Sequence, residues 1–239
     1  MITVDLDRLH IQPGSKILDV GCGSGRHTCA VSRLENVMVI ALDINFADVL
    51  EARKRLLEEK ALGVQGNGIW GTMVADITAL PFKNNVFDVV ICSEILEHVP
   101  HQEAAVHEVT RVVKPGKDVV VSVPRYLPER ICWALSSDYH NANNGHIRIY
   151  KQKELIELLE MAGVKKWALH FAHSLHTPYW WLKCLVGPTR NDSSLVNLYH
   201  RFLVWGIMKR SRMMRWLEHL LNPLLGKSLV LYLRKGKHA

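Results

Sequence analysis

The 239-residue sequence is poor in cysteine and has no long apolar run. Its cysteines are scattered and never form a C-x-x-C pair, which argues against a disulfide framework and a cysteine-based zinc site. No stretch approaches the roughly 18 consecutive apolar residues of a membrane span, and the first residues are unlike a basic, hydrophobic signal peptide. We therefore expect a cytoplasmic protein with reduced thiols.

Acidic residues are scarce in the last quarter of the chain. Residues 176–239 contain 11 Lys and Arg but only Asp192 and Glu218, a net charge of +9, whereas the preceding residues sum to −2. Four of the seven tryptophans also lie there: Trp180, Trp181, Trp205 and Trp216. Tryptophan and aliphatic residues beside bases are typical of helices that lie in a membrane interface. We predict a peripheral membrane contact through residues 176–239.

Two other interpretations of this basic region stay open. The aromatic residues would pack in a core beneath a solvated basic face, or the region would bind RNA through phosphate contacts and base stacking. Most of the aromatic residues lie in aliphatic-rich runs, so RNA binding is the least favoured of the interpretations.

Strand-like and helical patterns alternate along the chain. Apolar runs typical of buried parallel strands occupy residues 16–20, 37–42, 72–75, 86–92 and 119–123. Apolar residues at helical spacing predict helices over residues 46–62, 101–113 and 152–161. This alternation predicts a doubly wound α/β sheet, which binds ligands at the carboxyl ends of its strands.

The later part of the chain departs from this alternation. Residues 124–145 contain two prolines, three asparagines and a glycine, and they predict a long irregular loop. We expect residues 125–150 to form a loop or lid on the acceptor side. Two late strands are predicted at residues 166–171 and 228–233. The residues between them, 175–227, form a helical, basic, tryptophan-rich insertion within one domain spanning residues 1–239.

A glycine loop follows the first predicted strand. The run GCGSG at residues 21–25 lets the backbone approach a ligand at the start of the next helix. Asp43 and Asp76 end the next two strands, where they can accept hydrogen bonds from ribose hydroxyls and from an exocyclic amine. Asp19 would repel a pyrophosphate, and Arg26 replaces the small residue that a nicotinamide-dinucleotide fingerprint needs. These two residues disfavour an NAD-type oxidoreductase.

In combination and order, these motifs resemble class I S-adenosylmethionine-dependent methyltransferases, in the type 11 group that includes quinone-biosynthesis methyltransferases. The resemblance rests on the glycine loop, LDI at residues 42–44, ADITALPF at 75–82, FDVVICSEILEHVP at 87–100 and EVTRVVKPG at 108–116. It implies a Rossmann-like, seven-stranded, mostly parallel sheet with an antiparallel last strand. It also implies an S-adenosylmethionine site formed by Asp19, Gly21, Cys22, Gly23, Gly25, Asp43, Ile44, Asp76, Ile77 and Ser93.

The segment EILEH at residues 94–98 is a second candidate site. The spacing i, i+3, i+4 would place Glu94, Glu97 and His98 on one helical face, where they could bind a divalent metal as similar segments do in some methyltransferases. His98 is also a candidate general base, because imidazole titrates near neutral pH. His146, in the predicted lid, is a further catalytic candidate.

The expected activity is methyl transfer to a small or lipophilic acceptor; an isoprenoid, a quinone precursor and a lipid are the lipophilic candidates. A sulfonium methyl group is already activated, so positioning and desolvation contribute much of the catalysis. The acceptor is therefore weakly encoded. An RNA methyltransferase using the basic region, and a non-catalytic cofactor-binding module, stay open as alternatives.

Overall fold

The computed structural model describes residues 2–142, 146–190, 192–209 and 212–237. Within these ranges a single sheet contains seven strands, in the order β3-β2-β1-β4-β5-β7-β6. The strands are β1 (Lys16–Val20), β2 (Met38–Asp43), β3 (Ile69–Val74), β4 (Phe87–Ser93), β5 (Val113–Pro124), β6 (Val164–Ala172) and β7 (Ser228–Lys235).

The sheet has the predicted mixed direction. Strands β1 to β5 pair in parallel, whereas β7 runs antiparallel to both β5 and β6. The central strands are largely apolar and are buried over most of their length, because helices cover both faces of a parallel sheet. In β4, for example, every residue from Phe87 to Cys92 is buried. The Rossmann-like fold class is confirmed.

Helices precede and connect the strands. A short 3-10 helix (Leu6–Arg8) precedes β1. The α-helices are α1 (Arg26–Ser32), α2 (Phe46–Ala61), α3 (Gln102–Val112), α4 (Tyr126–Leu135), α5 (Ser137–Ala142), α6 (Gln152–Met161), α7 (His176–Val186), α8 (Ser194–Lys209) and α9 (Arg212–Leu225). Helix α2 buries Val49, Ala52 and Leu56, which recur at helical spacing. The main core lies between such stripes and the sheet.

The prediction of an irregular loop over residues 124–145 was wrong for its described part. Strand β5 continues to Pro124, and α4 and α5 follow directly. Pro128 is the third residue of α4, where a backbone N–H has no partner within the helix, so proline does not break the helix there. Cys132 and Tyr139 are buried against α7, which explains why the segment folds. Residues 143–145 lie outside the described residues.

Three helices, α7 to α9, lie between β6 and β7, at the position of the predicted insertion. Helices α4 and α7 pack together, and the Trp181 indole N–H donates a hydrogen bond to the carbonyl of Pro128. The helices of the described ranges include none with the length and apolarity that crossing a membrane requires.

Candidate functional site

The glycine loop joins β1 to α1 through a sharp turn. Gly21, Gly23 and Gly25 have φ values of 65°, 48° and 79°, which other residues rarely adopt. A Cβ atom on Gly25 would lie 2.9 Å from the Cβ atom of Ala52, so this glycine lets α1 pack closely on α2. A Cβ atom on Gly23 would meet no atom within 4 Å. The loop therefore leaves open space beside Gly23 for a ligand.

A cavity of about 560 Å³ opens beside this loop, at the carboxyl ends of the parallel strands. This volume is typical of small-molecule sites. Five predicted cofactor residues and the predicted base line the cavity: Gly21, Asp43, Ile44, Asp76, Ile77 and His98. Sequence reasoning missed other residues of the wall, although they directly follow the predicted ones: Thr78, Ile95, Val99, Pro100 and His101.

Asp43 and Asp76 are fixed by the backbone at the cavity. Asp43 Oδ2 accepts a hydrogen bond from the Gly23 N–H, and Oδ1 accepts one from the Asn45 N–H, each at 2.9 Å. Asp76 Oδ1 accepts hydrogen bonds from the backbone N–H and the hydroxyl of Thr78, each at 2.8 Å. Both carboxylates are thus held rigidly at the carboxyl edge of the sheet.

Three other predicted cofactor residues, Asp19, Cys22 and Ser93, are not among the residues that line the cavity. Asp19 is 1% exposed, and its Oδ2 accepts a hydrogen bond from the Thr28 hydroxyl. Burial raises the pKa of Asp19 to about 6 in spite of that bond. Cys22 is buried, and burial likewise raises the pKa of its thiol. The Ser93 hydroxyl lies 2.7 Å from the hydroxyl of Ser122.

These residues fit S-adenosylmethionine, the cofactor that the resemblance implies. The open space at Gly23 admits a ligand against the loop backbone. Asp43 and Asp76 are hydrogen-bond acceptors for hydroxyl and amine groups, and Ile77 supplies an apolar wall between them. A ligand ammonium group near Asp19 would offset the desolvation that raises the pKa of this carboxyl.

The prediction that Glu94, Glu97 and His98 share a helical face was wrong. Glu94 has a φ of 58°, so the chain leaves β4 in a turn rather than a helix. The Glu94 carboxylate points to β5, where Oε1 accepts a hydrogen bond from the Ser122 hydroxyl at 3.1 Å. The ligand-type atoms of Glu97, His98 and His146 instead lie within 4.8 Å of one another. His146 therefore takes the place of Glu94 in the cluster that the structure forms.

His146 is oriented by a buried carboxylate. Its Nδ1 lies 2.8 Å from Oε1 of Glu129, and the side chains are 12% and 1% exposed. Burial alone would raise the pKa of Glu129, but the hydrogen bond with His146 and nearby positive charge lower this pKa below its ordinary value. An ionised Glu129 can accept a hydrogen bond from Nδ1–H, and in that tautomer Nε2 is the acceptor nitrogen of the imidazole. The His146 and His98 ring centroids are 4.7 Å apart.

Glu97 is the buried acid of this cluster. Neither of its carboxylate oxygens has a hydrogen-bond partner within the described ranges. Burial and the nearby Glu94 raise the pKa of Glu97 well above its ordinary value. A buried carboxyl group of this kind needs a hydrogen-bond donor or a cation as its partner, and a bound ligand can supply either.

Sequence reasoning missed Glu129. This residue lies 17 positions before His146, in the segment whose helix was not predicted, so no local spacing links the two side chains.

Comparison with known proteins identifies the domain. A family model described as a methyltransferase domain matches residues 18–121. The sterol 24-C-methyltransferase of Schizosaccharomyces pombe is 32% identical over 146 residues, which cover 59% of this chain and 34% of that protein. The ubiquinone biosynthesis O-methyltransferase of Klebsiella pneumoniae is 38% identical over 109 residues, which cover 46% of this chain and 42% of that protein. The chain thus spans less than half the length of these relatives.

Solved structures share the fold at low sequence identity. An S-adenosylmethionine-dependent methyltransferase of Methanosarcina mazei has a TM-score of 0.59 and 17% identity, with 95% of each chain covered. The [4+2]-cyclase SpnF has a TM-score of 0.61 and 20% identity, with 97% of this chain and 78% of that chain covered. These likenesses show the fold alone, because one fold hosts different chemistries. Residues 18–121 therefore match a methyltransferase domain, in agreement with the predicted resemblance to class I S-adenosylmethionine-dependent methyltransferases.

Proposed function

We propose that this protein transfers the methyl group of S-adenosylmethionine to a hydroxyl group of a lipophilic acceptor. The observation that carries the proposal is the pair of Glu129 and His146 beside His98, a residue of the cofactor cavity. The lipophilic class of acceptor is supported by the names of the relatives, which refer to sterols and to ubiquinone biosynthesis.

The cavity residues hold and orient the cofactor. When bound, S-adenosylmethionine supplies a methyl group on a positively charged sulfur, which is transferred by in-line displacement. Asp43 and Asp76 would bind its polar groups, and the glycine loop would admit it close to the backbone. Because the methyl group is already activated, accurate placement of the acceptor contributes much of the rate.

The acceptor side must remove a proton if the nucleophile is a hydroxyl group. His146 is the residue built for this step, because Glu129 fixes its Nδ1–H and directs the unprotonated Nε2 away from that bond. The low exposure of both side chains keeps water from competing for the proton. Glu129 acts as a positioning residue, since it orients the imidazole and stabilises its protonated form.

Substitution of this pair tests the proposal. Release of S-adenosylhomocysteine is measured with a lipid extract of the source cells as acceptor, and cofactor affinity is measured by calorimetry. We expect His146→Asn to lower kcat by about 100-fold or more, and Glu129→Gln by a smaller factor, with cofactor affinity unchanged. His107→Gln, an exposed control on α3, leaves both unchanged. Full turnover by His146→Asn would refute the assigned base.

Chelation separates this proposal from a metal-dependent reaction at the same cluster. Glu97, His98 and His146 include the donor types that hold a divalent cation. We expect turnover to be insensitive to EDTA, because the imidazole carries the proton. Loss of turnover with EDTA, restored by Mg²⁺ or Zn²⁺, would mean that a bound cation, and not His146 as a base, activates the acceptor. Cofactor binding without any S-adenosylhomocysteine release would favour the non-catalytic module.

A further inference from the structure

Helix α8 has a second apolar stripe that the described structure leaves exposed. Its buried residues, Val196, Leu203 and Gly206, lie on one face of the helix. Four other apolar residues, at positions i, i+3, i+7 and i+10, form a second stripe, and their side chains are between 39% and 66% exposed: Leu195, Leu198, Phe202 and Trp205. A helix on the surface of a soluble domain typically has a polar outer face, so this stripe calls for a partner.

Helix α9 repeats the arrangement. Met214 is its buried residue. Four apolar residues at positions i, i+3, i+7 and i+11 form its exposed stripe, and their side chains are between 56% and 73% exposed: Met213, Trp216, Leu220 and Leu224. The two helices meet at Gly206, where an added Cβ atom would lie 2.6 Å from the Cε atom of Met214. The exposed stripes therefore belong to one helical pair.

Positive charge accompanies these stripes. Residues 194–225 contain five Lys and Arg but only one acidic residue, Glu218. Glu218 is half-buried. The bases that the structure describes are all exposed: Arg201, Lys209, Arg212 and Arg215. Exposed tryptophan and aliphatic side chains next to bases match the chemistry of an anionic membrane interface, where apolar groups enter the acyl boundary and bases meet lipid phosphates.

We propose that α8 and α9 dock this protein on the surface of an anionic phospholipid bilayer. The apolar stripes supply insertion into the interface and the bases supply attraction to the headgroups. The proposal goes beyond methyl transfer, since docking needs neither cofactor nor acceptor. It also accounts for part of the separation of charge along the chain, because residues 194–225 carry a net charge of +4 out of the +9 of residues 176–239.

Vesicle co-sedimentation tests the apolar stripes. The wild-type protein is expected to bind vesicles of phosphatidylcholine with phosphatidylglycerol and to bind phosphatidylcholine alone far more weakly. The double variant Trp205→Glu, Trp216→Glu should partition at least about 10-fold less into the anionic vesicles. Leu62→Glu with Met161→Glu is the matched control, because both residues are exposed and apolar but lie outside α8 and α9. This control should bind like the wild type.

A second pair of variants tests the bases. Arg201→Gln with Arg212→Gln should weaken binding on the order of 20-fold, from about fivefold for each base. Lys165→Gln with Lys166→Gln removes the same charge from exposed positions of β6 and should change binding less than twofold. Cofactor affinity and circular dichroism, unchanged in all four variants, establish that they are folded.

Four results would overturn the proposal. The first is no binding of the wild type to anionic vesicles. The second is equal binding by wild-type and tryptophan variants. The third is a wild-type dimer in light scattering that Trp205→Glu with Trp216→Glu dissociates, since a second copy would then cover the stripes. The fourth is RNA that binds the protein more tightly than the vesicles do, through the same tryptophans, and displaces it from them. The ligand of this surface would then be nucleic acid rather than lipid.

Discussion

At the scale of single residues, His27 makes the folded protein sensitive to acid. Its Nε2 accepts a hydrogen bond from the Thr3 N–H at 3.1 Å, and the side chain is buried. Burial, and then the nearby Arg26, lower the pKa of His27 to about 4. Because this value lies below the ordinary pKa, the stabilisation is complete above about pH 6.5 and is lost as the pH falls toward 4.

We predict that His27→Gln reduces this dependence. Glutamine can still accept a hydrogen bond through its side-chain oxygen but does not titrate. Between pH 7.5 and pH 5, the free energy of unfolding should fall by about 2 kcal/mol more in the wild type than in His27→Gln. Denaturant unfolding at the two pH values measures the difference, with the exposed His107→Gln as control. Identical pH slopes for His27→Gln and the wild type would show that His27 does not titrate as described.

At the scale of elements, Arg148 holds the turn that borders the cofactor cavity. Its Nη1 donates hydrogen bonds to the carbonyls of Leu96 and Val99, and its Nη2 donates one to the carbonyl of Pro100. Val99 and Pro100 line the cavity. The guanidinium therefore helps to fix the segment after β4, which is neither helix nor strand.

We predict that Arg148→Lys loosens this wall, because an ammonium group cannot span the three carbonyls in the same way. The dissociation constant for S-adenosylmethionine should rise by about 10-fold, which corresponds to the loss of one or two hydrogen bonds of about 1 kcal/mol each. Calorimetry measures the change, and Arg53→Lys, an exposed site on α2, serves as control. Unchanged affinity in Arg148→Lys would mean that the turn is held by other contacts.

Sequence periodicity succeeded where structure is local. The sheet strands and the glycine loop follow from apolar runs and turn residues, and both were predicted correctly. The turn at Glu94 was not, because spacing i, i+3, i+4 gathers side chains only if the backbone is helical. Helix α4 was missed because its support is tertiary: Cys132 packs against α7, and buried Glu129 pairs with His146.

At the scale of the whole molecule, the sequence predicted the cofactor side better than the acceptor side. Cofactor residues lie at the ends of successive strands, so the fold class alone brings Asp43 and Asp76 to one edge. The proposed acceptor side joins Glu97, Glu129 and His146 from three separate segments, and only the folded chain brings them together. The cytoplasmic location stays a prediction.

The most direct test identifies the fraction of a cell extract that receives the methyl group. The protein is incubated with S-adenosylmethionine labelled in the methyl group and a whole extract of the source cells, and the label is partitioned between organic, aqueous and macromolecular fractions. We predict label in the organic fraction, absent with Asp43→Ala, because this variant loses the carboxylate that lines the cofactor cavity. Label confined to the aqueous or macromolecular fractions would contradict a lipophilic acceptor.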